Sequence, residues 1–155
     1  MFEHTTDPRE VLLFPGTMPV SHRYTAGLAG ERFFRALRDR AVFLATRCGA
    51  CGVVYCPARA FCERCLATLE EELEVGPGGT LESFTVAHVG RDGRRLETPA
   101  VVGLVRLDGA DTLVVHRLDP GSRAALEIGM RVTAVFEDAG GRRGHLGDVR
   151  WFAPD

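Results

Sequence analysis

The stretch Cys48-Gly49-Ala50-Cys51-Gly52-Val53-Val54-Tyr55-Cys56-Pro57-Ala58-Arg59-Ala60-Phe61-Cys62-Glu63-Arg64-Cys65 decides how this chain folds. Two C-x-x-C turns separated by ten residues can each point two thiolates at one ion about 2.3 Å away, and together they complete a tetrahedral sulfur set. All five cysteines of the 155-residue chain fall in this window. An odd number so placed, after a start (Met1-Phe2-Glu3-His4) without a basic-then-apolar leader, points to metal and away from a disulfide framework. Gly49 and Gly52 suit the tight turns of a knuckle. Cys48, Cys51, Cys62 and Cys65 are therefore the expected ligands of a structural zinc, with iron as the other metal such a set accepts. A closed four-cysteine site leaves no coordination position for activating water. It contributes folding energy, about 10–16 kcal/mol in small zinc peptides. Cys56, followed by Pro57, has no visible histidine partner and reads as inert filler, a spare ligand or a reactive thiol being the alternatives.

Upstream, residues 1–28 scatter Pro8, Pro15, Pro19, Gly16 and Gly27 among apolar residues, the pattern of an extended N-terminal arm. Residues 29–47 read as an amphipathic helix, 29–41, and a lead-in strand. Phe33, Phe34, Leu37 and Ala41 share one helix face, while Glu31, Arg35 and Asp39 alternate in sign at i,i+4 spacing on another. That apolar face either packs on the chain's own barrel or meets a partner, which makes Phe33, Phe34 and Leu37 candidate partner contacts. The ribbon spans 48–75 and ends in an acidic run, Glu70-Glu71-Glu72 with Glu74, expected to be a solvated face. Gly76-Pro77-Gly78-Gly79 marks a turn.

Beyond it, over 76–155, the apolar period changes to two. Thr80–Val89, Ala100–Leu107, Thr112–Leu118, Met130–Glu137 and Asp148–Phe152 read as five strands, with a short turn or partial helix at Ser122–Gly129 between the third and fourth. Five strands interrupted at that point match an OB-fold barrel, a small Greek key. The fold class expected is mainly β: an N-terminal helix, a four-cysteine ribbon and a five-stranded OB barrel.

Composition narrows function. Hydrophobic residues are 45% and charged residues 26%, an ordinary globular mix, and the 18 glycines and 8 prolines fit short strands joined by turns. All 19 basic residues are arginine, yet the net charge is −2 and no cationic stripe appears. That balance, with few barrel aromatics (Phe84, Phe136, Trp151, Phe152), argues against a nucleic-acid binder. Apolar runs fall short of the roughly 20 residues that span a bilayer, so no membrane segment is expected and the reading is cytoplasmic.

The order of helix, ribbon and barrel resembles the acyl-CoA-associated OB-fold proteins with a rubredoxin-like zinc ribbon, over roughly residues 20–153. The resemblance rests on Arg32-Phe33-Phe34-Arg35-Ala36-Leu37, Cys48-Gly49-Ala50-Cys51-Gly52, Tyr55-Cys56-Pro57-Ala58-Arg59 before Cys62-Glu63-Arg64-Cys65, and Gly79-Thr80-Leu81-Glu82-Ser83-Phe84-Thr85. Pro99–Leu107 and Ile128–Val132 are similar to the family's later strands. Ala58 departs from the family, where a second proline is common. The resemblance implies a noncatalytic accessory subunit in a hetero-oligomer with a thiolase-like or aldolase partner, helping to bind that partner's acyl-CoA substrate. Coenzyme A phosphates favour arginine forks, and pantetheine an apolar groove. Arg91, Arg94 and Arg95 in one loop, with Arg142 and Arg143 in another, are the candidate coenzyme A contacts. Two other classes stay open: a nucleic-acid-binding ribbon/OB protein, and a stand-alone acyl-CoA thioester enzyme using Cys56 or a histidine.

Overall fold

The computed structural model describes residues 20–155 together with Asp7, Arg9 and Gly16, so most of the arm expected over 1–28 lies outside the described residues. Helix α1 (Gly27–Arg40) begins two residues before the expected start. There the Thr25 hydroxyl accepts from the Gly27 N–H at 3.0 Å, satisfying one of the donors that a first turn leaves open. The helix ends at Ala41, held in the left-handed region at φ 54°, whose N–H donates to the Leu37 carbonyl.

The apolar face of α1 is spent mainly inside the chain. Phe33 and Leu37 are buried in the core, and Phe34 is half-buried, edge-on to Phe33 at 5.4 Å between ring centres. Phe33 and Leu37 are therefore not the surface anchors that the sequence offered. The reason is energetic: full burial of such a side chain is worth about 1.5–3 kcal/mol, and the chain's own β-structure provides the cover.

Beside the helix stands a three-stranded antiparallel sheet of β1 (Phe43–Arg47), β2 (Val54–Tyr55) and β3 (Glu71–Val75), ordered β2-β1-β3. Strand β3 takes up most of the acidic run. Glu71 pairs with Arg47 at 2.8 Å, Glu72 with Arg32 at 2.9 Å and Glu74 with Arg40, so the run faces arginines of α1 and β1. These pairs are exposed and contribute about 0–1 kcal/mol each, orienting the helix more than stabilising it.

The second sheet has five strands, β4 (Gly78–Val89), β5 (Arg95–Leu107), β6 (Leu113–Arg117), β7 (Arg131–Phe136) and β8 (Val149–Pro154), ordered β6-β5-β4-β7-β8. A parallel bridge from Leu118 to Phe152, with the Asp119 N–H on the Phe152 carbonyl at 2.9 Å, joins the outer strands and closes the barrel. Strand β5 starts five residues earlier than expected because its pairing with β4 continues to the register pair Val89–Arg95. A 3-10 turn, Pro120–Ala125, fills the interval between the third and fourth barrel strands. Over the described residues this is a mainly β chain with one α-helix, a four-cysteine ribbon and a five-stranded OB barrel.

Two glycines are sites of close backbone approach. A Cβ at Gly79 would stand 2.4 Å from the Arg106 carbonyl oxygen, and one at Gly103 would stand 2.7 Å from Leu118 Cδ2. The core behind them includes Leu81, Val105, Leu107, Val132 and Phe152, with Phe43 of β1 stacked on Phe152 at 6.1 Å. The ribbon is also tied to the β5–β6 turn. Asp111 accepts from the Val54 N–H at 2.8 Å and returns its own N–H to the Val54 carbonyl, while the Thr112 hydroxyl accepts from the Cys56 N–H and donates to the Cys56 carbonyl, both at 2.8 Å.

Candidate functional site: a four-sulfur centre and a barrel groove

Each C-x-x-C turn is closed by its own backbone. Cys48 donates its N–H to the Val53 carbonyl and Gly52 to Cys48; in the second turn Cys62 donates to Ala67 and Leu66 to Cys62. These turns bring the sulfurs of Cys48, Cys51, Cys62 and Cys65 within 4.8 Å of one another. The Cys48–Cys65 and Cys51–Cys62 sulfur pairs are 3.5 Å apart. A tetrahedron with metal–sulfur bonds of about 2.3 Å has edges of about 3.8 Å, so the donor set fits zinc with little movement. Burial is uneven: Cys48 and Cys62 are inaccessible, Cys51 is half-buried and Cys65 is exposed.

Around Cys62 the site holds a residue that sequence reasoning did not single out. The Tyr55 hydroxyl lies 3.2 Å from the Cys62 sulfur, and the ring is fully buried. This hydroxyl, with the Cys65 and Arg64 N–H groups, draws the Cys62 thiol down to about 6 although burial opposes it. The same hydrogen bond and burial push the Tyr55 phenol up to about 12. The signal in the sequence was a polar aromatic between two knuckles, a position where a buried hydroxyl needs a partner.

Cys56 belongs elsewhere. It lies in the main core, away from the four-sulfur cluster, and burial pushes its thiol up to about 12. At neutral pH it stays protonated, and the thiol is a poor nucleophile.

The five arginines offered for coenzyme A do not form one site. Arg91 and Arg94 are exposed in the turn between β4 and β5, with Arg94 3.7 Å from Asp92, and Arg95 is exposed where β5 begins. Arg143 is exposed in the loop before β8. Arg142 is a correction: it is half-buried and its guanidinium donates to the Leu37 carbonyl at 3.2 Å, closing the end of α1 across the fold. Its Nε is buried and meets no hydrogen-bond partner among the described residues. An arginine so committed is not a free phosphate fork.

A groove of about 930 Å³ lies on the barrel, and none of these five arginines lines it. Pro99, Val102, Val115, Leu146 and Trp151 give it an apolar wall, while His116, Arg117 and Arg150 provide polar groups. Arg150 lies over the Trp151 ring at 4.4 Å and reaches Glu137 at 3.5 Å; His116 Nε2 is 3.1 Å from the Leu146 carbonyl. These residues come from three strands and a loop, so no local pattern announced them. Beyond the groove, Asp148 is buried and accepts from the Arg143 and Gly144 N–H groups at 2.9 and 2.7 Å. Burial raises its carboxyl, yet these donors with His145 hold it below the usual carboxylate range. No helix among the described residues is long and apolar enough to cross a membrane.

Comparison with known proteins agrees with this geometry. Residues 35–71 match the ChsH2 rubredoxin-like zinc ribbon domain, and residues 72–137 match the ChsH2 C-terminal OB-fold domain. A DUF35 domain-containing scaffold protein of Methanocaldococcus jannaschii is 29% identical over 106 residues, 68% of this chain and 74% of that protein. Among solved structures, the fold is shared with a DUF35-family protein of unknown function from Sulfolobus solfataricus, at TM-score 0.65 and 21% identity, covering 83% of this chain and 87% of that one. It is shared also with a chain of the Ltp2–ChsH2(DUF35) aldolase, at TM-score 0.62 and 26% identity, covering 85% of this chain and 98% of that one. With both domain matches in series, the chain belongs to the ChsH2-type DUF35 family, a rubredoxin-like zinc ribbon followed by an OB-fold.

Proposed function

We propose that this protein is the zinc-stapled accessory subunit of an acyl-CoA-processing complex, docked on a thiolase-like or aldolase partner that carries the catalytic residues. The observation that carries the reading is the likeness over 98% of a chain from the Ltp2–ChsH2(DUF35) aldolase, joined to a metal site whose donors are all supplied by the protein. The Methanocaldococcus relative, described as a scaffold protein, supports the same role. Zinc bound by Cys48, Cys51, Cys62 and Cys65 supplies folding energy and no reaction step. Burial of Cys56 weakens the form of the stand-alone enzyme reading that uses an ionised thiol there.

Partner contact shifts from Phe33 and Leu37 to residues that are exposed. Leu28 of α1 and Phe61 of the ribbon, 80% and 62% exposed, line one small groove with Arg32, Glu70 and Glu72, an apolar centre with a charged rim suited to a protein partner. For the thioester, the barrel groove offers an apolar channel for pantetheine or the acyl chain, with Arg117 and Arg150 for its anionic groups; Arg91, Arg94, Arg95 and Arg143 remain exposed for its phosphates.

Co-expression with a thiolase-like or aldolase protein from the same source tests the proposal. A stable complex by mass measurement, thioester turnover that requires the partner, and loss of assembly in a Phe61→Asp variant that melts normally are the expected results. Turnover of acyl-CoA thioesters by this chain alone would refute it.

A further inference from the structure

We infer that Tyr55 is a positioning residue of the metal centre: its phenolic O–H donates to the coordinated Cys62 sulfur and sets the charge which that sulfur gives to the metal. The hydroxyl lies 3.2 Å from Cys62 Sγ, and the residue has no solvent exposure. A buried hydroxyl left unpaired is costly, so this contact is the hydroxyl's means of satisfaction. Metal binding fixes its direction. A thiolate on an ion has no proton to give, so the phenol must be the donor.

Need on the sulfur side is equally specific. Four thiolates around a divalent ion leave a net charge of about −2, which solvent or hydrogen-bond donors must offset. Cys65 is exposed and Cys51 half-buried, whereas Cys48 and Cys62 are shut away from water, and of these two Cys62 is the one that the Tyr55 hydroxyl reaches. Tyr55 is the side chain that supplies an O–H to the cluster among the described residues.

The tyrosine is itself held in place. It sits on β2 opposite Thr46 of β1. The Thr46 hydroxyl accepts from the Arg59 N–H at 3.0 Å and donates to the Arg59 carbonyl at 3.1 Å. This anchors Arg59, whose guanidinium lies 5.0 Å from the centre of the Tyr55 ring. A cation over the ring withdraws electron density from the phenol and makes its O–H a stronger donor. Thr46, Arg59 and Tyr55 thus form a chain of support ending at one sulfur, and outer partners of this kind typically alter metal affinity 10–100-fold.

Cobalt(II) bound to the full chain is the probe, because its thiolate-to-metal charge-transfer band reports sulfur charge while its d–d bands report geometry. Tyr55→Phe keeps the ring and removes the hydroxyl. The charge-transfer band is expected to move to lower energy with the tetrahedral d–d pattern retained, and cobalt affinity in chelator competition to fall on the order of tenfold. The chain has two tyrosines, Tyr24 and Tyr55, so 3-fluorotyrosine in a Tyr24→Phe background labels position 55 alone. Its stronger O–H donor should move the band to higher energy, and this arm decides the matter should the Phe variant not fold. A role in packing alone would leave the band unmoved by the fluorine, and that result would overturn the inference.

Discussion

Asp148 organises the loop before β8 from a single buried carboxylate, accepting N–H groups of Arg143 and Gly144 while its own N–H returns to the His145 carbonyl. Because its folded pKa is depressed, its contribution is fully present above the unfolded value of about 3.9 and is lost as pH falls through the lower folded value. Asp148→Asn is expected to cost about 1–3 kcal/mol at pH 7 and to flatten the stability curve between about pH 5 and the folded pKa, read by denaturant melts across that range. Ala41 presents the opposite case. Its left-handed backbone strains a residue with a Cβ, so Ala41→Gly should raise stability by about 1 kcal/mol; an unchanged or lower melting temperature would count against the cap geometry. Neither effect was legible in the sequence. Asp148 stood at the edge of an expected strand, and Ala41 at the end of an expected helix, without sign of the hydrogen bonds that give each its work.

At the scale of elements, spacing was an accurate guide where a local pattern is itself the constraint. Two C-x-x-C pairs must turn to share an ion, and period-two runs must become strands with one face buried, so the ribbon and the five barrel strands were legible. What covers an apolar face was not. Periodicity marks Phe33, Phe34 and Leu37 as a stripe but is silent on whether the covering surface belongs to the same chain. The same limit applies to Arg142, which spans 105 residues of sequence to reach Leu37, and to the groove, whose wall is gathered from separate strands. Strand pairing also leaves its own prediction. With Arg106 facing Thr80 beside Gly79, Gly79→Ala drives a methyl into backbone, so β4 and β5 must separate locally. A loss of about 1–3 kcal/mol, with weakened amide-exchange protection around Gly79 and Arg106, is the expected result.

For the whole molecule, metal and barrel are mechanically linked. The centre holds β2, and the Asp111–Thr112 pair ties β2 and the following turn to the β5–β6 hairpin, so removing the metal should disturb more than the ribbon. Cys65→Ser, or chelation of the native protein, is expected to lower the melting temperature markedly and promote aggregation, with metal content measured in parallel. Retention of one zinc per chain with an unchanged melt in Cys65→Ser would contradict that expectation.

Trp151 is the chain's one tryptophan, and it stands in the groove wall beneath Arg150. An optical gauge is thus built into the place where a thioester would lie: any guest that slides between guanidinium and indole must alter the emission of a single fluorophore. Occupancy can be followed without labels, in this chain alone and with the proposed partner added, and the two titrations together would tell whether that partner completes the groove or merely borders it.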